Sequence, residues 1–129
     1  MKWFILSFMG VLLLSCQGKT SSGTDGDKQV SVPDTVLAYK YKESGKKKSA
    51  NGNQHGAIDD YTKAICFNPN YDTAYHNRGV VKAAIGDYNG AISDYNKAIE
   101  INPQLKFSFF SRGNVKVKLK DNIGAMYDF

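Results

Sequence analysis

The sequence predicts an all-α protein, an α-solenoid of stacked antiparallel helical hairpins. The first observation behind this prediction is an internal repeat: residues 57–69 read AIDDYTKAICFNP and residues 91–103 read AISDYNKAIEINP, identical at nine of 13 positions. The two segments lie 34 residues apart, and a fixed period of about 20 to 50 residues is the sequence signature of a repeat architecture. The second observation is that residues within each copy recur at helical spacing.

The 34-residue register continues through three copies. Seven columns, each holding one residue type or a Tyr/Phe exchange, keep this offset. They are Tyr41/Tyr75/Phe109, Gly45/Gly79/Gly113, Lys48/Lys82/Lys116, Gly56/Gly90/Gly124, Ala57/Ala91/Ala125, Asp60/Asp94/Asp128 and Tyr61/Tyr95/Phe129. The array therefore occupies residues 37–129, with repeats at about 38–71, 72–105 and 106–129, the last of them incomplete.

The middle copy shows why each repeat is a hairpin. Tyr75, Gly79 and Lys82 lie at helical spacing in the first helix, where the small Gly79 faces a neighbouring helix. Gly86-Asp87 ends that helix and opens a second one. The second helix carries a single apolar stripe, because its large and small apolar residues recur at i, i+1, i+4, i+7 and i+8. The residues of this stripe are Ala91, Ile92, Tyr95, Ala98 and Ile99.

The hairpin ends at Asn102-Pro103, because proline cannot continue a helix. One hairpin cannot cover its own apolar stripe, so the copies must stack and share a core. In copy one the polar run 46–53 predicts a frayed end of the first helix. Repeat arrays end with a polar capping helix, and in copy three the second helix stops without one. We therefore expect the chain to be an N-terminal fragment of a longer protein.

At these residues the chain resembles the tetratricopeptide repeat family, whose period is also 34 residues. The residues of the middle copy that carry the resemblance are Tyr75, Gly79, Gly86, Tyr88, Ala91, Tyr95, Ala98 and Pro103. The resemblance implies a non-enzymatic scaffold or adaptor, in which the first helices line a concave groove that binds a peptide or protein partner.

The resemblance also implies which side chains line that groove. They are Tyr39, Lys42 and Lys46 in copy one, Thr73, His76, Asn77 and Val80 in copy two, and Phe107, Phe110 and Asn114 in copy three. Some members of the family clamp a carboxylate with two Lys, two Asn and an Arg. Only Lys42 and Asn77 match that set, since Lys46, Phe107 and Ser111 occupy its other positions, so clamp activity is not expected.

The N-terminal sequence predicts a signal peptide and a lipid anchor. Lys2 precedes a 12-residue uncharged run, residues 3–14, which is too short to span a bilayer but fits the core of a signal peptide, residues 1–15. Leu13, Ser15 and Cys16 resemble the lipobox of bacterial lipoproteins, which implies cleavage before Cys16 and its lipidation. Gln17 then implies an outer-membrane lipoprotein that faces the periplasm. The alternatives are an ordinary secreted protein, in which Cys16 is incidental, and an uncleaved anchor.

Residues 16–36 form the lipidated N-terminus and a flexible linker. The segment 17–35 is rich in Ser, Thr, Gly and Asp, so it cannot bury enough apolar surface to offset the entropy of ordering it. Its random-coil span is about 25 Å, enough to hold a domain clear of a membrane.

Composition and motifs exclude other classes of protein. The charge of +5 falls short of the dense basic stripe of a nucleic-acid binder. His55 and His76 have no ligand partner at a metal-binding spacing, Cys66 is expected as a free thiol, and no phosphate loop or nucleophile elbow occurs. We therefore expect no enzyme, no cofactor, no metal and no nucleic acid. The open alternative is a protein that binds an anionic envelope polymer, such as a cell-wall glycan.

Overall fold

The computed structural model describes residues 33–129, and in this range every regular element is a helix. The helices are α1 (Asp34–Ala50), α2 (Gln54–Phe67), α3 (Asp72–Ala84), α4 (Tyr88–Ile101), α5 (Lys106–Lys118) and α6 (Asn122–Met126). The pairs α1–α2, α3–α4 and α5–α6 pack as hairpins, and α2 packs on α3 as α4 packs on α5. The predicted α-solenoid of stacked hairpins is confirmed.

The contact inside each hairpin is an aromatic ring lying on a glycine, a tyrosine in the first two hairpins and Phe129 in the third. Tyr95 is 2% exposed, and its Cε1 atom lies 2.8 Å from where a Cβ atom on Gly79 would stand. Ala91 and Ala98, on the same helix as Tyr95, are fully buried. The small side chains let α3 and α4 approach, and the Tyr95 ring fills the space that remains. The predicted packing of this stripe is confirmed.

The contact between hairpins is a valine from the next first helix. Val81 of α3 closes a buried cluster with Ala57 and Tyr61 of α2. In the next copy Val115 of α5 does the same with its own neighbours, Ala91 and Tyr95 of α4. Each tyrosine thus belongs to two contacts, one within its hairpin and one with the next, so the core is continuous through the array.

Each second helix begins at a side-chain cap. The Asp87 carboxylate accepts a hydrogen bond of 2.9 Å from the backbone N–H of Gly90, and Asn53 and Asp121 cap α2 and α6 in the same way. A Cβ atom on Gly90 would lie 2.1 Å from an Asp87 oxygen. The glycine of this column is therefore required by the cap rather than by a turn.

The prediction that the first helix of copy one frays is wrong. α1 continues to Ala50, and Gly52, with φ of +80°, makes the turn into α2. The polar run is held by its side chains, because Lys48 Nζ lies 2.7 Å from a carboxylate oxygen of Asp60 and Asn53 caps α2.

Each hairpin also holds a buried aspartate, in its second helix or just after it, that binds cations from the first helix. Asp94 is 4% exposed. Arg78 donates two hydrogen bonds to it, of 2.9 and 2.7 Å, and Lys82 Nζ lies 2.9 Å away. Arg112 and Lys116 bind Asp128 in the same arrangement. The sequence showed the aspartate and lysine columns, but it did not show that they pair.

The arginine also joins neighbouring hairpins. Arg78 Nη1 donates a hydrogen bond of 3.0 Å to Thr62 of α2, while Arg112 Nη1 donates one of 2.7 Å to Asn96 of α4. In copy one Ser44 holds the arginine position and reaches only Asp60 of its own hairpin, at 2.6 Å. From copy two onwards, a single guanidinium therefore links three helices.

Several predictions concern the N-terminal part of the chain. The signal peptide, Cys16 and the linker up to residue 32 lie outside the described residues, whereas residues 34–36 of the predicted linker belong to α1. None of the helices within residues 33–129 is long and apolar enough to cross a membrane. Cys66, half-buried in α2, is disulfide-bonded, so the prediction of a free thiol is wrong.

The contact between Gly79 and Tyr95 gives a prediction with a definite sign. Replacing a helical glycine with alanine ordinarily stabilises a helix by about 1 kcal/mol. For Gly79→Ala we expect destabilisation by about 1 to 3 kcal/mol, because the new methyl group would overlap the buried Tyr95 ring. Urea unfolding followed by circular dichroism measures the change, and a stabilised variant would contradict the packing described here.

Candidate functional site

The first helices α1, α3 and α5 form a row, in which α1 contacts α3 and α3 contacts α5. The second helices cover one side of this row. The ten side chains predicted to line a groove belong to the row and occupy equivalent positions in the 34-residue register. Four of them line a cavity and all ten are at least partly exposed, so the row is the candidate site.

A cavity of about 300 Å³ lies between α1 and α3. It is lined by Lys42, Glu43, Lys46, Tyr61, Thr73 and Asn77. Four predicted groove residues, Lys42, Lys46, Thr73 and Asn77, therefore surround one space. The sequence did not single out Glu43 or Tyr61 for this place. Tyr61 stood out only as a member of the repeat column Tyr61/Tyr95/Phe129, and Glu43 gave no signal beyond its position next to Lys42.

Lys42 is the most constrained cation of the cavity. Its Nζ atom lies 2.8 Å from a carboxylate oxygen of Glu43, 4.8 Å from the ring centre of Tyr39 and 5.7 Å from that of Tyr71. Burial lowers the pKa of Lys42, but hydrogen bonds with Glu43 and Tyr71 outweigh burial, and the net pKa is raised. The same hydrogen bond lowers the pKa of Glu43. Both groups are therefore charged at neutral pH.

His76 lies at the middle of the row and connects two copies. Its Nδ1 atom is 2.9 Å from the hydroxyl oxygen of Ser108 on α5, and its ring centre is 5.6 Å from that of Tyr95. Burial lowers the pKa of His76, opposed by the charge of Asp72. The side chain is thus a neutral link between α3 and α5 at pH 7, half-buried rather than open to a ligand.

The α5 end of the row is aromatic. Phe107 is 74% exposed and Phe110 is 59% exposed. The ring of Phe110 lies 5.7 Å from that of Phe129, in a tilted arrangement that aromatic pairs favour. Val80 of α3 and Asn114 of α5 are also exposed. The large exposed aromatic surface marks this end as a place where a partner can bury apolar area.

The positions of the carboxylate clamp are only partly cationic. Lys42, Lys46 and Asn77 lie at the cavity, but Phe107 adds no charge. Ser111 forms a side-chain hydrogen bond with Tyr95. Burial raises the pKa of Tyr95 to about 12, against the effect of this bond, so the hydroxyl group of Tyr95 stays protonated and Ser111 remains engaged with it.

Other kinds of site find no support in residues 33–129. In that range no three His, Cys, Asp or Glu side chains come together as metal ligands would. The buried aspartates Asp60, Asp94 and Asp128 are each bound by cations of their own hairpin. The chemistry available at the row is therefore hydrogen bonding, ion pairing and apolar contact.

Comparison with known proteins agrees with this geometry. The profile of the family described as tetratricopeptide repeat matches residues 73–105. No curated protein matches the chain. Among solved structures, the first tetratricopeptide domain of Spaghetti (RPAP3), bound to the HSP90 peptide SRMEEVD, is 28% identical with a TM-score of 0.72, over 73% of this chain and 75% of that one.

Two further structures are similar over nearly the same part of the chain. The TPR2B domain of yeast Sti1, in complex with pHsp70, is 25% identical with a TM-score of 0.71, over 72% of this chain and 74% of that one. The crystal structure of MamA is 28% identical with a TM-score of 0.71, over 74% of this chain and 56% of that one. The fold is therefore an α-solenoid of hairpins of the tetratricopeptide repeat type.

The environment of His76 predicts a pH dependence of stability. Because burial depresses the pKa of His76 in the folded chain, the unfolded chain binds the proton first as pH falls below about 6.5. We expect the free energy of unfolding to fall as pH drops through that range, and part of the loss to vanish in His76→Gln. Urea unfolding of both chains across this range measures it, and equal pH profiles would contradict the assignment.

Proposed function

We propose that this protein is a non-enzymatic interaction scaffold that binds a peptide or protein partner along the row α1–α3–α5. The observation that carries the proposal is the convergence of Lys42, Lys46, Thr73 and Asn77 on one cavity, continued by the exposed rings of Phe107 and Phe110. The structures of similar fold include domains in complex with HSP90 and pHsp70 peptides, which supports the same use of the row here.

The groove predicts which substitutions abolish binding. Proteins captured by the full chain from detergent-solubilised envelope should be lost in the triple variant Lys42→Ala, Asn77→Ala, Phe110→Ala. We expect at least about a tenfold loss of affinity, the effect of removing about 1.4 kcal/mol, because a few central side chains carry most interface energy.

A matched triple variant controls for composition and folding. Lys118→Ala, Lys120→Ala and Asn122→Ala change the same number of residues, all of them exposed and at the turn between α5 and α6, and should leave capture intact. Circular dichroism shows whether each variant is folded. Partners retained equally by both triple variants would place the binding surface elsewhere.

We further propose that the scaffold works in a bacterial envelope, attached through a lipid on Cys16. The support is in the sequence: an uncharged 12-residue run after Lys2, then Leu13, Ser15 and Cys16, followed by a polar segment. Lipid anchoring of this kind needs more than one acyl chain to be stable. Gln17 favours the outer membrane, with the array facing the periplasm.

Metabolic labelling with an alkynyl fatty acid in a bacterial host tests this anchor. We expect label on Cys66→Ser and none on Cys16→Ser. A lipid and a disulfide cannot share one sulfur atom, and the chain has two cysteines, so a disulfide between them would compete with the lipid. The parent chain should therefore carry no more label than Cys66→Ser, in which no such disulfide can form. A Cys66→Ser chain without label would refute the anchor.

A second candidate function is binding of an anionic envelope polymer through α1. At the positions where α3 buries Ala74 and Val81, α1 has Lys40 and Lys47, and both lysines are exposed. A polymer held by these charges would dissociate as salt rises, since the screening length falls to about 3 Å at 1 M. Co-sedimentation with purified wall material at increasing salt measures this binding. The double variant Lys40→Ala, Lys47→Ala should lose polymer binding and keep partner capture, which distinguishes this function from peptide binding in the groove.

A further inference from the structure

The chemistry of the row changes from one end to the other. Equivalent positions in the 34-residue register read Lys42, His76, Phe110 in one column and Tyr39, Thr73, Phe107 in the next. The three first helices lie in the order α1, α3, α5. A ligand that follows the row therefore meets a basic end, then a neutral polar centre, then an aromatic end.

The basic end can accept carboxylates. Glu43 is the one acidic side chain that lines the cavity together with Lys42 and Lys46, and its carboxylate already binds Lys42. Lys46 is exposed and forms no ion pair with any residue in the range 33–129. The cavity thus keeps a net positive charge, and its half-buried Lys42 is screened by solvent less than a surface lysine is.

The centre of the row offers hydrogen bonds without charge. Thr73 and Asn77 line the cavity, and His76 is neutral at pH 7 because burial depresses its pKa. Backbone amides and uncharged polar side chains of a ligand can pair here. These three α3 side chains add no charge of their own to the row.

The aromatic end fits a large apolar side chain. Phe107 and Phe110 are mostly exposed, and Phe110 rests on Phe129. The intervening Phe109 is half-buried, with the guanidinium of Arg112 over its ring at 5.3 Å. The two exposed rings therefore stand apart from the nearby cation and present an apolar shelf to solvent.

We infer that the row binds a peptide segment in one orientation, with acidic residues over α1 and a large apolar side chain on the rings of α5. This inference rests on the proposed function of the row as a peptide-binding groove. The reverse placement would set carboxylates against the rings of Phe107 and Phe110 and leave Lys42 and Lys46 without the ligand's charge, so the favourable contacts at both ends would be lost.

The helix spacing sets the distance between the two ligand features. Helices packed side by side lie about 8 to 10 Å apart, so α1 and α5, with α3 between them, are roughly 20 Å apart. An extended chain advances about 3.3 Å per residue, which makes the span about six residues. The segment thus carries its carboxylates and its apolar anchor about six residues from each other.

A synthetic peptide tests the orientation directly. The probe is acetyl-Glu-Glu-Glu-Ser-Gly-Ser-Leu-Trp-amide, added to the full chain labelled for NMR. A nitroxide attached at the glutamate end should broaden the amide signals of α1, and one attached at the tryptophan end should broaden those of α5. Broadening of the opposite helix in each case, or of the same helix by both labels, would overturn the inference.

Substitutions test the contribution of each end of the row to the affinity for the probe. Lys42→Ala, Lys46→Ala should weaken the probe about tenfold and remove most of its salt dependence. Phe107→Ser, Phe110→Ser should weaken it about tenfold and leave the salt dependence in place. Glu43→Gln should strengthen binding several-fold, because it removes the carboxylate that competes for Lys42. Lys118→Ala, Lys120→Ala serves as the control of unchanged affinity.

The outcomes separate this inference from the proposed function. If the probe fails to bind while partner capture still depends on Lys42, Asn77 and Phe110, the proposed function of the row is supported and the inferred orientation of the ligand is wrong. If neither the probe nor any partner depends on these side chains, both proposals fail. Two matched peptides, with Gln for Glu and with Ser-Gly for Leu-Trp, should each bind about tenfold more weakly than the probe, and equal affinities would contradict the inference.

Discussion

The arrangement of the helices depends on the buried carboxylate of Asp94 and the guanidinium that binds it. A carboxylate taken out of water costs several kcal/mol, and removing one partner of a buried pair costs about 3 to 5 kcal/mol. Asp94 is bound by two parallel hydrogen bonds from Arg78 and by Lys82. The parallel bonds fix direction as well as distance, so the first helix of the hairpin cannot rotate against the second without leaving a buried charge unpaired.

The same guanidinium extends this constraint to the preceding hairpin. Arg78 also bonds Thr62 of α2 and lies over the ring of Tyr75 at 5.5 Å. With α3 held at two sides by Arg78 and Val81, its remaining side must carry Thr73, His76 and Asn77. The cations of the core and those of the groove are therefore separate: Arg78 and Lys82 are bound to Asp94, whereas Lys46 at the cavity has no ion-pair partner in the range 33–129.

The fold could be predicted from the sequence because of the 34-residue repeat. Nine identical positions between residues 57–69 and 91–103 placed the helices and the apolar stripe of Ala91, Tyr95 and Ala98, since these follow from helical periodicity and residue size. The pairing of Lys82 and Arg78 with Asp94 could not be read this way. Periodicity shows which residues recur, but which of two charged residues turns inward depends on the packing of another helix.

The candidate site was predictable in part for the same reason. Family resemblance placed Lys42, Lys46, Thr73 and Asn77 on one face, and the cavity confirms that they lie together; their role as binding residues stays a prediction. The sequence missed Glu43 and the double cation–π contact of Lys42, because both depend on side-chain conformations. It also missed that His76 is engaged with Ser108, since nothing in the sequence places a serine of the next repeat beside it.

Hydrogen exchange of the Arg78→Met chain tests the central claim, that one guanidinium holds neighbouring hairpins in a single array. Methionine keeps much of the apolar volume but removes the bonds to Asp94 and Thr62. We expect amide protection to fall in α3 and α4, where Asp94 loses its guanidinium, and in α1 and α2, whose hairpin loses its bond from Arg78, while α5 and α6 lose less. A uniform loss across all helices, or protection equal to that of the parent chain, would contradict it.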